Sequence, residues 1–332
     1  MRAIVSSVAG GPETLRLEDV AEPQPGPGQV RIAVDAVGVN YPDLLIIEDK
    51  YQFKPARPFS PGAEVSGRVD AVGAGVTSVR PGQRVLAMVG WGGMADKVLA
   101  PLPGLSLIPD AMPAEHAAAL LLTYATSYHA LKDRARLQPG ESLLVLGASG
   151  GVGLAAVELG RAMGATVLAA TSTQEKLDVA LAAGASAGAV YGTDALDTAG
   201  QRALATEFKA LCQPHGPHVI YDPVGGNYAE PALRSIAWEG RYLVVGFAAG
   251  IPKLPLNLPL LKGCDVLGVF WGSEMERNPE RHAAAVDALF ALYHEGKIRP
   301  RVSLTFPLEQ AQDALVALAS RRTTGKIVVT TR

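Results

Sequence analysis

Hydrophobic positions in this chain follow two regimes, and the second half shows them most clearly. Over residues 143–146 four apolar side chains run unbroken to Gly147, which predicts a short strand buried on both faces. Leu154, Val157, Leu159 and Met163 then recur at roughly helical spacing until Gly164, and residues 166–170 form another apolar run. The stretch therefore predicts a βαβ unit. The alternation continues, with strands predicted at 188–191, 218–221, 241–247 and 265–271 and helices near 200–211 and 227–238. Alternation of this kind implies an α/β domain with a doubly wound parallel sheet, whose ligand crevice lies at the carboxyl ends of the strands.

The first 110 residues read differently. Short strand patterns at 2–5, 29–39, 66–72, 84–89 and 94–100 are separated by turn signals such as Pro25-Gly26-Pro27-Gly28 and Pro81-Gly82, which predicts a mostly β domain. Residues 113–135 change to a long Ala/Leu-rich helical pattern closed by Pro139-Gly140. After residue 271 come a helix at 281–295, a strand at 302–306, a helix at 308–319 and a strand at 326–330. This tail is too small for a domain of its own. It is expected to fold back on the N-terminal region, so that the nucleotide domain is inserted in the other.

Composition narrows the class. A chain of 332 residues has room for two cored domains. Apolar residues make up 48% and charged residues 19%, a globular balance. The formal net charge is −2 without a Lys/Arg-rich block, which argues against nucleic acid or an anionic membrane as partner. No apolar run approaches the ~18 residues of a membrane span. Residues 1–9 lack the features of a signal peptide, and Cys212 and Cys264 are far apart with no CxxC spacing, so the expected setting is cytoplasmic.

The first candidate chemistry sits in GASGGVG, residues 147–153. Gly150 allows backbone to approach a diphosphate, Gly153 allows the helix to sit close on the strand, and the free amides of Gly151 and Val152 face an anion. Ala148 stands at the first glycine position of the G-x-G-x-x-G pattern, but the strand–turn–helix–strand context is the one the pattern requires. Where NAD-preferring domains carry a carboxylate at the end of the second strand, this chain reads Ala170-Thr171-Ser172, with none before Glu175. The small hydroxyl and Lys176 suit a 2′-phosphate, and NADPH is the expected cofactor.

With these motifs placed, the chain resembles the zinc-free quinone oxidoreductases of the medium-chain dehydrogenase/reductase superfamily, the group related to zeta-crystallin. The resemblance runs nearly end to end. It rests on Gly38-Val39-Asn40 with Asp43, PGAEVSGRVDAVGAGV at 61–76, PGQRV at 81–85, LLTYATSYHAL at 121–131, GASGGVG, DPVGG at 222–226 and TGKIVV near the end. It implies a Rossmann domain over 123–263 inserted in a GroES-like catalytic domain made of 1–122 and 264–332. Relatives that use catalytic zinc hold it through Cys, His and Cys; the matching positions here are Asn40, Ala63 and a residue near Leu122 or Thr123. No metal is expected, since zinc needs three or four N/S/O ligands, and Glu64 reads as a structural carboxylate paired within its domain.

The resemblance also implies the site residues. Ser172, Lys176, Tyr191 and either Arg321 or Arg322 match the positions that meet the 2′-phosphate. Asn40, Tyr41, Tyr51 and Thr126 match polar cleft positions, the first three as catalytic donors and Thr126 as a cofactor contact. Trp91, Phe247 and Trp271 are candidate apolar walls, Phe247 on the cofactor side. The family's Gly-x-Tyr reads Asp49-Lys50-Tyr51 here, so the tyrosine matches and the glycine does not.

The function these expectations describe is NADPH-dependent reduction of quinones or other α,β-unsaturated carbonyls by hydride transfer. A conjugated acceptor spreads the incoming charge and needs only one or two donors. The alternatives are an enoyl-CoA reductase of the acryloyl-CoA kind, for which Arg57 and Lys54 are candidate phosphate contacts, and a non-catalytic NADPH-binding protein. A homodimer is expected through the edge strand near residues 265–271.

Overall fold

Residues 29–39 show why the N-terminal region is β: Val30, Ile32, Val34 and Ala36 are buried while Arg31, Ala33 and Asp35 are only partly so. That is the two-residue period of a strand with one face on a core. The structure, a computed structural model, describes residues 1–192 and 196–332. The chain divides into one unit of Met1–Leu122 with Pro300–Arg332 and a second of Thr123–Arg299.

In the first unit, β1 (Arg2–Val5) and β2 (Arg16–Asp19) form an antiparallel pair. β3 (Gln29–Val39), β4 (Glu64–Val72), β5 (Arg84–Met88), β6 (Lys97–Pro101) and β7 (Leu105–Leu107) build a larger sheet, in which β3 pairs with both β4 and β6. Between β3 and β4 lies the helix Tyr41–Ile47, absent from the sequence expectation.

The second unit holds β8 (Ser142–Leu146), β9 (Thr166–Thr171), β10 (Ala187–Val190), β11 (Val219–Asp222), β12 (Arg241–Val244) and β13 (Asp265–Gly268). They form one parallel sheet in the order β10-β9-β8-β11-β12-β13, so the strand order reverses beside β8. Leu144, Leu146, Leu168, Ile220 and Tyr242 are buried in its core. Such a reversal leaves a crevice at the carboxyl ends of the central strands.

The chain re-enters the first unit with β14 (Val302–Pro307) and β15 (Lys326–Thr330), and β15 pairs antiparallel with β3, Ile327 opposite Val39. The expected boundary at residue 264 moves to 300. β13 pairs with β12, Gly268 opposite Val244, and Cys264 is buried in the second unit's core, so this stretch completes the parallel sheet. The strand expected to reach residue 271 stops at Gly268. Trp271 instead begins the helix Trp271–Arg277 and is buried with its ring 5.5 Å from that of His282, a core aromatic rather than a wall of the site. Among the described residues no helix is long and apolar enough to cross a membrane.

Candidate active site

The glycine turn after β8 has the geometry its sequence predicts. Gly147 takes φ +59, a conformation costly for side-chain-bearing residues. A Cβ on Gly153 would lie 2.2 Å from the Gly147 carbonyl oxygen, so only glycine lets the helix Gly151–Ala162 start this close to the strand. Gly150 is the N-cap, and the amides of Gly151 and Val152 have no acceptor within the helix. These features fit the diphosphate of a dinucleotide.

Buried hydrogen bonds brace this turn. Ser127 Oγ lies 2.8 Å from the Thr123 carbonyl, 3.1 Å from the Val152 carbonyl and 2.8 Å from the Tyr221 hydroxyl. Asp222 Oδ1 accepts from the amides of Val224 and Gly225, each at 2.8 Å, while Asp222 Oδ2 accepts from the Tyr242 hydroxyl. Burial raises the Asp222 carboxyl above the usual range against these three donors. The carboxylate thereby shapes the DPVGG turn, and Val224 packs where a Cβ on Gly147 would be 2.9 Å away. Sequence reading recognised the motif but not its partner Tyr242, because the two residues belong to neighbouring strands.

At the end of β9, Lys176 Nζ donates to Ser172 Oγ at 3.0 Å, and Thr173 caps the helix Gln174–Ala182 by accepting from the Lys176 amide. Burial lowers the Lys176 ammonium below its usual range, opposed by the charge of Glu175. Tyr191 follows β10 with its ring centroid 4.5 Å from that of Tyr228, and its hydroxyl meets the backbone of Gly147. Burial raises its phenol well above the ordinary value. Ser172 and Lys176 are thus brought together. Tyr191 is turned toward the glycine turn. Thr126 begins a short helical turn, partly buried. Phe247, after β12, is 43% exposed and packs against the Gly225 turn.

The first unit holds a buried polar cluster. Asn40 Nδ2 donates to the Gly38 carbonyl at 2.9 Å and to Glu64 Oε2 at 3.1 Å, while Asn40 Oδ1 accepts from Lys326 Nζ. Lys326 also pairs with Glu64 Oε2 at 3.2 Å, and Glu64 Oε1 accepts from the Leu122 amide at 3.0 Å. Asp43 accepts from the amides of Asn40 at 2.8 Å and Gly62 at 3.2 Å. Burial raises the Asp43 carboxyl to about 6, opposed by the Asn40 amide, the Lys326 charge and the Gly62 amide.

This cluster revises one expectation. Both amide hydrogens of Asn40 and its oxygen are committed inside the protein, and the residue is 4% exposed. Its geometry is that of an anchor for the loop, not of a free donor. Glu64 is a carboxylate paired within its unit. Lys326, within the TGKIVV motif, was missed because a lone lysine in sequence reads as a surface residue.

Tyr41 opens the helix Tyr41–Ile47 and is 37% exposed. Tyr51 is partly buried against the first unit's core, its ring edge-on to Phe53 at 5.8 Å. Its phenol is raised by burial and by the charge of Asp43. Trp91 is 44% exposed. Arg321, at φ +56, and Arg322 lie in the turn between the helix Ala311–Ala319 and β15, in the first unit. The phosphate cluster of Ser172 and Lys176 belongs to the second.

Comparison with known proteins follows the same division. Residues 26–110 match the alcohol dehydrogenase GroES-like domain and residues 151–289 match the zinc-binding dehydrogenase family. Among the described residues no three His, Cys, Asp or Glu side chains group as a metal site. The chain is 38% identical to a quinone oxidoreductase-like protein 2 homolog of Nematostella vectensis over 336 aligned residues, covering 100% of this chain and 89% of that protein. A mycobacterial protein solved in complex with NADPH superposes with TM-score 0.92 and 30% identity, covering 99% of this chain and 100% of the other. Escherichia coli quinone oxidoreductase complexed with NADPH gives TM-score 0.90 at 27% identity, covering 99% and 100%.

Proposed function

The chain belongs to the quinone oxidoreductase family of medium-chain dehydrogenase/reductases, and from that premise we propose that it reduces quinones or other α,β-unsaturated carbonyls with NADPH. Bound NADPH supplies the hydride. The observation that carries the reading is the Ser172–Lys176 pair at the end of β9, where a carboxylate for an unphosphorylated ribose would otherwise stand. The amides of Gly151 and Val152 hold the diphosphate, and Ser172 and Lys176 hold the 2′-phosphate, with Tyr191 and one of Arg321 and Arg322 as further contacts. Thr126 and Phe247 contact the cofactor.

On the acceptor side, Tyr51 and Tyr41 are the hydroxyl donors for the oxygen that gains negative charge. Asn40 acts through the cluster that fixes the start of their loop. A protonated tyrosine suits this task, since burial holds the Tyr51 hydroxyl in its donor form at neutral pH. Zinc is not part of the proposed reaction, because Asn40 and Ala63 stand at the positions that resemble its ligands.

A second reading, an enoyl-CoA reductase, draws on one observation. Arg134, Arg277 and Arg281 line a single cavity of about 230 Å³ beside Gly268, at the carboxyl end of β13, a setting for an anionic tail. Arg57, the expected phosphate contact, is instead committed to Asp49 and to the Ile47 carbonyl. Turnover with NADPH across quinones, simple enones and enoyl-CoA thioesters separates the readings. Higher kcat/KM for quinones or simple enones supports the first, higher kcat/KM for enoyl-CoA supports the second, and no turnover leaves a non-catalytic NADPH-binding protein.

We further propose a homodimer through the edge strand β13. The outer side of the second unit presents Trp238, Leu256, Leu260 and Leu261 exposed together with Val266 on that edge. An open apolar edge invites pairing with a second strand.

A further inference from the structure

We propose that Arg57 is a positioning residue for the acceptor: paired with Asp49, it latches residues 49–57 into a fixed loop that carries Tyr51. The inference rests on the reductase reading above and adds a residue to it. It starts from the departure of this chain from Gly-x-Tyr. Asp49 stands at the glycine position and keeps a left-handed backbone at φ +56, which glycine adopts freely and aspartate only at a cost.

The side chain that replaces glycine's freedom is used. Asp49 Oδ1 accepts from Arg57 Nη1 at 2.7 Å, and Arg57 Nη2 donates to the carbonyl of Ile47 at 2.8 Å. Ile47 is the last residue of the helix Tyr41–Ile47. The guanidinium also lies 5.3 Å from the centroid of the Phe59 ring, within cation–π range. One guanidinium therefore joins the far end of the loop to its beginning and to the helix before it. The Arg57 side chain is 17% exposed against 39% for Asp49, so the pair is better shielded from solvent and salt than an ordinary surface pair. Arg57 Nε is buried without a partner. The cation is thus held in place although one of its donors goes unmet.

Little else ties the loop down. Among the described residues, the backbone of 51–56 makes no hydrogen bond to the rest of the protein, and the chain is pinned again only where the Phe59 amide bonds the Ser6 carbonyl at 3.3 Å. The Tyr51 ring packs on the core, while Phe53 beside it is 45% exposed. Without the latch, the Tyr51 hydroxyl has only the burial of its own ring to fix it. With the latch, the loop closes at both ends. Arg57 thereby sets the position of a donor it does not itself replace.

The test uses the full chain with Arg57→Ala, Arg57→Lys and Asp49→Gly, the last of which relaxes the backbone while removing the carboxylate. Hydrogen–deuterium exchange of the peptide spanning residues 49–57 is read beside acceptor KM, kcat and NADPH Kd. Arg57→Ala and Asp49→Gly are expected to speed exchange in this peptide about tenfold or more and to raise acceptor KM about tenfold, with NADPH Kd changed by less than about twofold. Arg57→Lys, which keeps the charge, should fall between them and the wild type. Unchanged exchange in Arg57→Ala and Asp49→Gly would overturn the latch whatever the turnover. Faster exchange with unchanged acceptor KM would overturn its role toward the acceptor. Wild-type protein inert to every acceptor would instead refute the reductase reading, and the acceptor role with it.

Discussion

Lys176→Ala removes an ammonium that lies 3.0 Å from Ser172 Oγ at the end of β9, where the account places the 2′-phosphate of NADPH. A charge-assisted hydrogen bond contributes roughly 1.5–3 kcal/mol. Lys176 is partly buried, and burial already lowers its pKa, so part of its hydration is lost before any ligand arrives. The contact therefore belongs toward the middle of that range, not at the level of a fully solvated pair. At about 1.4 kcal/mol per factor of ten, NADPH should bind roughly 10- to 150-fold more weakly. NADH lacks the phosphate and should change by less than about twofold. Fluorescence titration of both cofactors gives both constants. The NADPH penalty should shrink as salt rises, since a partly exposed charge pair is screened. Equal losses for the two cofactors, or a loss confined to NADH, would refute the assignment of Lys176 to the phosphate.

Tyr51→Phe should lower kcat toward the best acceptor by up to roughly 3 kcal/mol in activation free energy while leaving NADPH Kd unchanged, as single-turnover and binding assays together would show. Asp43, raised by burial to about 6, keeps a proton in the folded chain that the unfolded chain has lost between about pH 4 and 6. Its contribution to stability therefore falls as pH rises through that window, by about 3 kcal/mol. Denaturation of wild type and Asp43→Asn at pH 4 and pH 7 should show the wild type losing ground to the variant at the higher pH; the opposite trend would contradict the shift. Leu260, 77% exposed beside the β13 edge, should shift the protein from dimer toward monomer in light scattering when changed to Glu, and a wild-type monomer at micromolar concentration would count against the interface. Chelated, metal-free protein should retain its turnover, and activity restored only by added zinc would show a metal role that Asn40 and Ala63 do not suggest.

How far the sequence could be read depended on how local each signal was. The unit from β8 to β9 was legible because its apolar runs are continuous and bounded by Gly147 and Gly164. The helix Tyr41–Ile47 was not, since it is short and its Leu44-Leu45-Ile46-Ile47 run has no polar face to give a helical period. Its start signal, Asn40 with Asp43 three residues on, was present. The return of the chain at residue 300 instead of 264 followed from the pairing of β13 with β12 and the burial of Cys264, which no local pattern encodes. In the site, the glycine turn and the Ser172–Lys176 pair were readable from spacing along one βαβ unit. The bond from Lys326 to Asn40 spans 286 positions in sequence, and only folding shows that Asn40 has no hydrogen left to donate. Arg57 and Asp49 were both noticed separately, one as a phosphate contact and the other as a missing glycine. Their pairing gives each a different meaning.

The central claim is that this chain passes hydride from NADPH to a conjugated acceptor. It is tested most directly by anaerobic turnover of NADPH deuterated at the transferable C4 position, with a simple enone as acceptor and the product analysed by mass spectrometry. The account predicts acceptor-dependent oxidation of the cofactor and a saturated ketone carrying one deuterium on its β carbon, lost in proportion when turnover falls in Tyr51→Phe. A product without deuterium, no oxidation with any enone or quinone, or faster oxidation of simple alcohols by NADP⁺ would contradict it.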